Sequence, residues 1–146
     1  MAAESAPARD AALRALGPRD LSSAEIDRRL ERSGFEEPAR EQALAWLRER
    51  GYVDDERFAR RRAAVLAERG LGDAGIRADL QRRGIGRTAI DTALAELEPE
   101  VARAVLVADR FGGGRRAWRA LARKGFAEAA IESAVAGAVA QRPESP

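Results

Sequence analysis

The sequence contains neither cysteine nor histidine. Without thiols there is no disulfide, no thiolate nucleophile and no sulfur ligand for the common zinc sites; without imidazole the most frequent acid–base catalyst is gone. No catalytic residue, metal or cofactor is expected. Aromatic residues are scarce, at 5%, and no apolar run approaches the ~20 residues needed to cross a bilayer. The first residues, "MAAESAPARD", do not combine a basic start with an apolar stretch. A cytoplasmic protein without a membrane partner is therefore the expectation. Lysine is nearly missing as well. Of 26 basic side chains 25 are arginine, whose planar fork suits two-pronged contact with phosphate or carboxylate.

What is present suits a folded chain: 45% apolar and 34% charged residues over 146 positions, room for one domain or a few small units. The net charge is only +2, but the signs are segregated. Residues 56–87 hold 9 arginines against 4 acids, residues 88–102 hold four acids and no base, and residues 103–124 hold 7 basic residues against one acid. Two basic blocks are thus separated by an acidic one.

A repeat is hidden in the spacing. "IDRRLERSGFEEPAREQALAWL" (26–47), "IRADLQRRGIGRTAIDTALAEL" (76–97) and "AWRALARKGFAEAAIESAVAGA" (117–138) align on Gly34, Gly84 and Gly125 without insertion. Four residues before each glycine stands Leu30, Leu80 or Leu121, and just after it Phe35, Ile85 or Phe126. Nine residues after comes Ala43, Ala93 or Ala134. Apolar spacings of three and four on both sides mark helix faces, and the glycine marks a helix end that needs a left-handed residue. Each copy reads as helix, tight turn, helix. In the first, Ser22 and Glu25 have the spacing of a capping box inside a staple of Leu21 and Ile26; Leu71 and Ile76 repeat the staple around Gly72. The third start, "FGGGRR", is glycine-rich and less well formed.

Each pair is preceded by a further helical stretch. "ARDAALRALG" (8–17) opens the chain, "DERFARRRAAVLAERG" (55–70) sets Phe58, Ala59, Val65 and Leu66 on one side, and "PEVARAVLVADRF" (99–111) does the same with Val101, Val105 and Ala108. The fold expected is all-α: a tandem array of three three-helix, helix-turn-helix-like repeats, elongated and curved. The expected divisions are 8–53, 54–97 and 98–140, flanked by a disordered start (1–7) and tail (141–146).

Between the first two repeats lies "RERGYVDDERFARRR" (48–62). Gly51 ends one helix and Asp54 caps the next, with Asp55 and Glu56 in a first turn where negative charge is favourable, and Val53 and Phe58 at staple positions. Acid–base or metal chemistry at these three adjacent acids finds no partner group nearby. Tyr52 is not explained by this punctuation.

The stretch resembles the signature of the RecX family of bacterial recombination regulators. Gly51, Tyr52, Val53, Asp54, Asp55, Phe58 and Ala59 carry the resemblance, and Gly70, Gly72, Ile76, Leu80, Arg83, Gly84 and Ile85 resemble the family's second module. The likeness runs from about residue 10 to 140. Arg40, where the other repeats have Ile90 and Ile131, and the opening "FGGGRRAW" depart from it. It implies a protein that lies along the groove of the RecA recombinase filament on DNA and restrains its ATPase, strand-exchange and coprotease activities, modulating recombinational repair and the SOS response.

The residues themselves offer a basic track. Arg57, Arg60, Arg61 and Arg62 crowd one helix; Arg82, Arg83 and Arg87 follow the next; Arg115, Arg116, Arg119, Arg123 and Lys124 repeat the arrangement in the third unit. Such a track suits phosphates or an acidic protein surface, with no sequence readout indicated. The expected partners are the RecA filament and single-stranded or double-stranded DNA, bound by a monomer. Trp46, Phe35, Phe58 and Phe126 fit core positions, and Trp118 fits packing better than base stacking. The alternative is a helix-turn-helix DNA binder, but "GRTAIDTALAELEPE" turns acidic where a reading helix needs donors.

Overall fold

The computed structural model describes residues 2–141, and side chains from 5 to 137. Among these residues there are nine helices and no strand: α1 (Ala2–Leu16), α2 (Ser23–Arg32), α3 (Glu37–Glu49), α4 (Asp55–Glu68), α5 (Asp73–Arg82), α6 (Arg87–Ala95), α7 (Glu100–Arg110), α8 (Gly114–Arg123) and α9 (Glu128–Gln141). None of them is long and apolar enough to cross a membrane.

Three helices make a unit because none can bury its apolar stripe alone. The buried apolar residues fall into three clusters, one for each of α1–α3, α4–α6 and α7–α9, with the first and third helix of each unit packed together. The aligned leucines Leu30, Leu80 and Leu121 lie at the centres of these clusters, as do Ala43, Ala93 and Ala134. Small alanines at that position let two helices approach closely. Arg40, the odd residue of the first unit, stays half-buried by pairing its Nε with Asp27 at 2.9 Å and donating to the Phe35 carbonyl at 2.8 Å. Ile90 and Ile131 occupy the matching positions as plain core.

The turns are built as the spacing predicts. Gly34, Gly51, Gly84 and Gly125 all have positive φ, between 72° and 91°. After each of the four the next amide returns to a carbonyl five residues back: Phe35 to Leu30, Tyr52 to Leu47, Ile85 to Leu80 and Phe126 to Leu121. Ser22 and Glu25 close their capping box, Asp54 accepts from the Arg57 amide at 3.1 Å, and Gly72 and Gly113 stand at the caps of α5 and α8.

Several expectations are corrected. Helix α1 begins at Ala2 instead of near residue 8. Ala8, Ala12 and Ser5 bury its inner face while Pro7 is exposed, so a stripe of small residues does what bulky ones do elsewhere. Residues 142–146, the rest of the expected tail, lie outside the described residues. Val65 is exposed, since it stands about 100° around the helix from Leu66 and beyond the stripe of Phe58, Ala59, Ala63 and Leu66. Val101 is exposed too, because the first turn of α7 faces the second unit through Glu100 and Arg103. Val53 and Phe58 do not close a staple. Val53 joins the first cluster and Phe58 the second, so they anchor the two sides of a joint.

Candidate anion-binding surface and the joints that position it

The apolar clusters are separate, so the relation between units is set by polar contacts. At the first joint, Asp55 reaches back to the start of α2 and accepts from the Ser23 amide at 2.8 Å and its hydroxyl at 2.6 Å. The Ser22 hydroxyl donates to the Arg83 carbonyl at 2.6 Å, and Arg83 donates to Glu25 at 3.2 Å. At the second joint Glu100, like Asp55 the first residue of its helix, accepts from the Asp73 amide at 2.7 Å, and its other oxygen accepts from the Ala127 amide at 2.8 Å. The open amides of a middle helix are thus satisfied by the unit that follows.

The two joints differ where their sequences differ. Ser22 and Glu25 of "LSSAEI" become Gly72 and Gly75 in "LGDAGI". In the second joint backbone meets backbone directly: the Gly72 amide donates to the Lys124 carbonyl at 2.8 Å and the Ala74 amide to the Gly125 carbonyl at 3.0 Å. A Cβ on Gly72 would sit 2.5 Å from the Phe126 nitrogen, and one on Gly75 2.6 Å from the Lys124 oxygen. Arg103, buried between the units, donates to the carbonyls of Leu71 and Glu98 at 3.0 and 2.9 Å and pairs with Asp73. It belongs to a joint, not to a partner surface.

The turn glycines share in this. A Cβ on Gly84 would lie 2.3 Å from the Ala24 Cβ, and one on Gly125 2.3 Å from the Gly75 nitrogen. Gly34, in the first unit, faces open space. At the other end, α8 opens with Gly114, Arg115 and Arg116, where α2 has Ser23, Ala24 and Glu25.

The expected arginine track divides into two groups on this frame. Arg62 grips Asp79 with two bonds of 3.0 Å, and Arg83 shares the same carboxylate at 3.0 Å, which makes a chain of charges from α4 through α5 to Glu25 on α2. The hydrogen bond from Arg62, and then that from Arg83, hold the Asp79 carboxyl below its ordinary range against the opposing effect of burial. These two arginines are occupied internally. Arg57 is half-buried, and its guanidinium donates to the Gly51 carbonyl at 3.1 Å.

The others are presented outward. Arg60 and Arg61 meet Glu96 and Asp20 only at 3.8 and 4.0 Å, Arg82 touches Asp79 at 3.8 Å, and Arg87 is 91% exposed. Arg115, Arg116, Arg119 and Arg123 are exposed along α8, and Lys124 is half-buried at its end. Exposed pairs of this kind are worth little, roughly 0–1 kcal/mol, so an incoming anion displaces them cheaply. Two further cations join the first joint. Arg28 donates to the Arg82 carbonyl at 3.3 Å, and Arg19 lies in the loop before α2. Spacing along the chain did not single out either, since only the packing of α2 beside α5 brings Arg28 near the second unit.

The aromatic residues follow the core reading in part. Phe58 and Phe126 are buried, Trp118 packs on the third cluster, and Phe35 and Trp46 are half-buried. Tyr52 stays 50% exposed and stacks on Trp46 with ring centroids 5.9 Å apart. Arg50 and Arg9 lie over the same indole at 4.2 and 5.1 Å.

Fold and joints together define an all-α array of three-helix modules, hinged on acid-capped helix starts and bearing arginines at its surface. The chain matches the first three-helix domain of RecX over residues 8–47 and the second over residues 54–94. It is 38% identical over 145 residues to the regulatory protein RecX of Syntrophotalea carbinolica, across 86% of this chain and 94% of that one. To the regulatory protein RecX of Cronobacter sakazakii it is 40% identical over 99 residues, 61% of this chain and 60% of that relative. The crystal structure of RecX from Lactobacillus salivarius shares the fold with a TM-score of 0.85 at 18% identity, over 96% of this chain and 99% of that one. The chain belongs to the RecX family.

Proposed function

We propose that this protein binds the RecA filament on DNA and restrains its ATPase, strand-exchange and coprotease activities, acting as a cytoplasmic monomer without catalysis of its own. The observation that carries the reading is the outward set of arginines in the second and third units, Arg60, Arg61, Arg82, Arg87, Arg115, Arg116, Arg119 and Arg123, none held by a close, buried carboxylate. The family name of the relatives, a regulatory protein, agrees with a role exerted on another protein. A filament groove offers both phosphates and acidic side chains, and arginine forks serve either.

The helix-turn-helix reading gains nothing from the geometry. The candidate reading helix α6 exposes Thr88, Asp91, Thr92 and Ala95 beside the single Arg87, a poor set of donors for base edges.

The test is the ATPase rate of RecA on single-stranded DNA, titrated with this protein from trace to equimolar amounts. Inhibition well below one copy per RecA supports a regulator that acts on the filament as a whole. No effect at any ratio, with DNA bound directly, rejects the filament and leaves a general DNA-binding protein.

A further inference from the structure

Beside the first joint a cleft of about 380 Å³ opens between the loop after α1 and the turn before α4, at the small end of the roughly 300–1,000 Å³ range of ligand clefts. Its walls bring together Arg19, Asp20, Tyr52, Arg57 and Arg61, contributed by three separate stretches of chain. Three cations face one carboxylate there, and only Arg61 is near that carboxylate, at 4.0 Å. Arg57 enters no ion pair among the described residues. Its guanidinium donates to the Gly51 carbonyl, and its Nε is buried without a hydrogen-bond partner. A half-buried guanidinium with a lone carbonyl as partner and a buried, unpaired Nε costs free energy that an anion beside it would offset.

Tyr52 gives this cleft a second character. Its ring is held before any ligand arrives, because the Tyr52 amide is tied to the Leu47 carbonyl at 2.9 Å, Gly51 sets the turn with φ 72°, and one face lies against Trp46. Half of the residue remains exposed, far more than the buried apolar residues around it. An aromatic ring fixed on one side and open on the other, next to unpaired arginines, is the combination by which proteins hold single-stranded nucleic acid: a stacked base and a clamped phosphate. An acidic side chain of a protein partner would use the arginines but leave the ring idle.

We propose that this cleft is a nucleotide subsite for single-stranded nucleic acid, in which Tyr52 stacks a base and Arg57, Arg61 and Arg19 take the adjoining phosphate. The inference deepens the reading of a protein that works on DNA-bound filaments, but it does not depend on contact with RecA. It also gives Tyr52, which helix punctuation leaves unexplained, a role at the surface.

The test is fluorescence anisotropy of the full chain, alone, with a labelled oligothymidylate and with an abasic phosphodiester of equal length. The unaltered protein binds the thymidylate about tenfold more tightly, within the range that one stacked base supplies. Tyr52→Ala removes that preference and leaves abasic affinity and its salt dependence unchanged. Tyr52→Leu, which keeps packing volume against Trp46, shows the same loss, and Tyr52→Phe retains the preference. Arg61→Gln weakens both ligands equally and lowers the salt slope by about 0.7. The subsite is overturned by equal binding of the two ligands, or by a preference that survives both Tyr52→Ala and Tyr52→Leu. Thymidylate preference through Tyr52 without any effect on RecA ATPase would reject the filament reading and leave the subsite standing; ATPase inhibition with equal ligand binding would do the reverse.

Discussion

Three glycines at one aligned position adopt the same backbone conformation in different surroundings. Gly34, Gly84 and Gly125 have φ of 91°, 78° and 84°, yet only Gly34 has open space where a side chain would go. Conformational cost and crowding cost can therefore be measured apart. Gly34→Ala is expected to lose about 1–2 kcal/mol, the penalty of a left-handed alanine. Gly84→Ala carries that penalty plus a collision with Ala24, roughly 1–3 kcal/mol more when a packed neighbour must shift. Urea unfolding of the two variants checks this, and equal losses would show that the joint yields freely. The need for a left-handed residue is legible from the helix-ending pattern. The second reason for glycine is not, because Ala24 lies sixty residues away in sequence from Gly84 and adjoins it only once the units dock.

At the scale of elements, the charge network of Arg62, Asp79, Arg83 and Glu25 ties α4, α5 and α2 into one corner. Arg62 and Arg83 count as members of a basic block along the sequence, but Asp79 lies seventeen residues from Arg62, and their pairing depends on helix packing. Composition shows the sign of a region and not which charges are already matched. Asp79→Asn is expected to cost about 2–3 kcal/mol at neutral pH, since charge-assisted bonds to two guanidinium groups are weakened. The Asp79 carboxyl is lowered in the folded state from an ordinary value of 3.8, so its stabilisation is complete above that value and is lost as pH falls through the lower, folded one. Thermal melts between neutral and strongly acid pH should thus show a steeper acid loss for the parent than for Asp79→Asn. Parallel curves would remove Asp79 from the corner. The helix pairs and their caps were readable because bulky residues and glycines punctuate them. Helix α1 was only half readable, since Ser5, Ala8 and Ala12 form a stripe too small to announce itself by hydropathy.

For the whole molecule, the division between occupied and outward arginines decides which substitutions probe function. Replacing Arg60, Arg61, Arg82 and Arg87 together by glutamine is expected to weaken filament binding at least tenfold, while the melting temperature moves little, because exposed pairs contribute roughly 0–1 kcal/mol. A sedimentation assay with RecA filaments, read beside a thermal melt, checks both halves, and unchanged binding would reject this surface. Including Arg83, as the sequence alone suggests, would confound the result by loosening a joint. The joints themselves run in one direction: the turn of each later unit sits on the helix start of the one before. A contact of that kind is heterologous, and when its two halves are both free on one molecule it propagates into open fibres. One half is free here at Gly34, but the other carries Arg115 in the place of Ala24 and Ala74, where the Gly84 turn comes so close to Ala24 that a Cβ on the glycine would lie 2.3 Å from the alanine Cβ. The arginines that begin α8 therefore fill the place that α2 and α5 leave to a following turn, so the start of α8 is expected not to accept the Gly34 turn of a second copy.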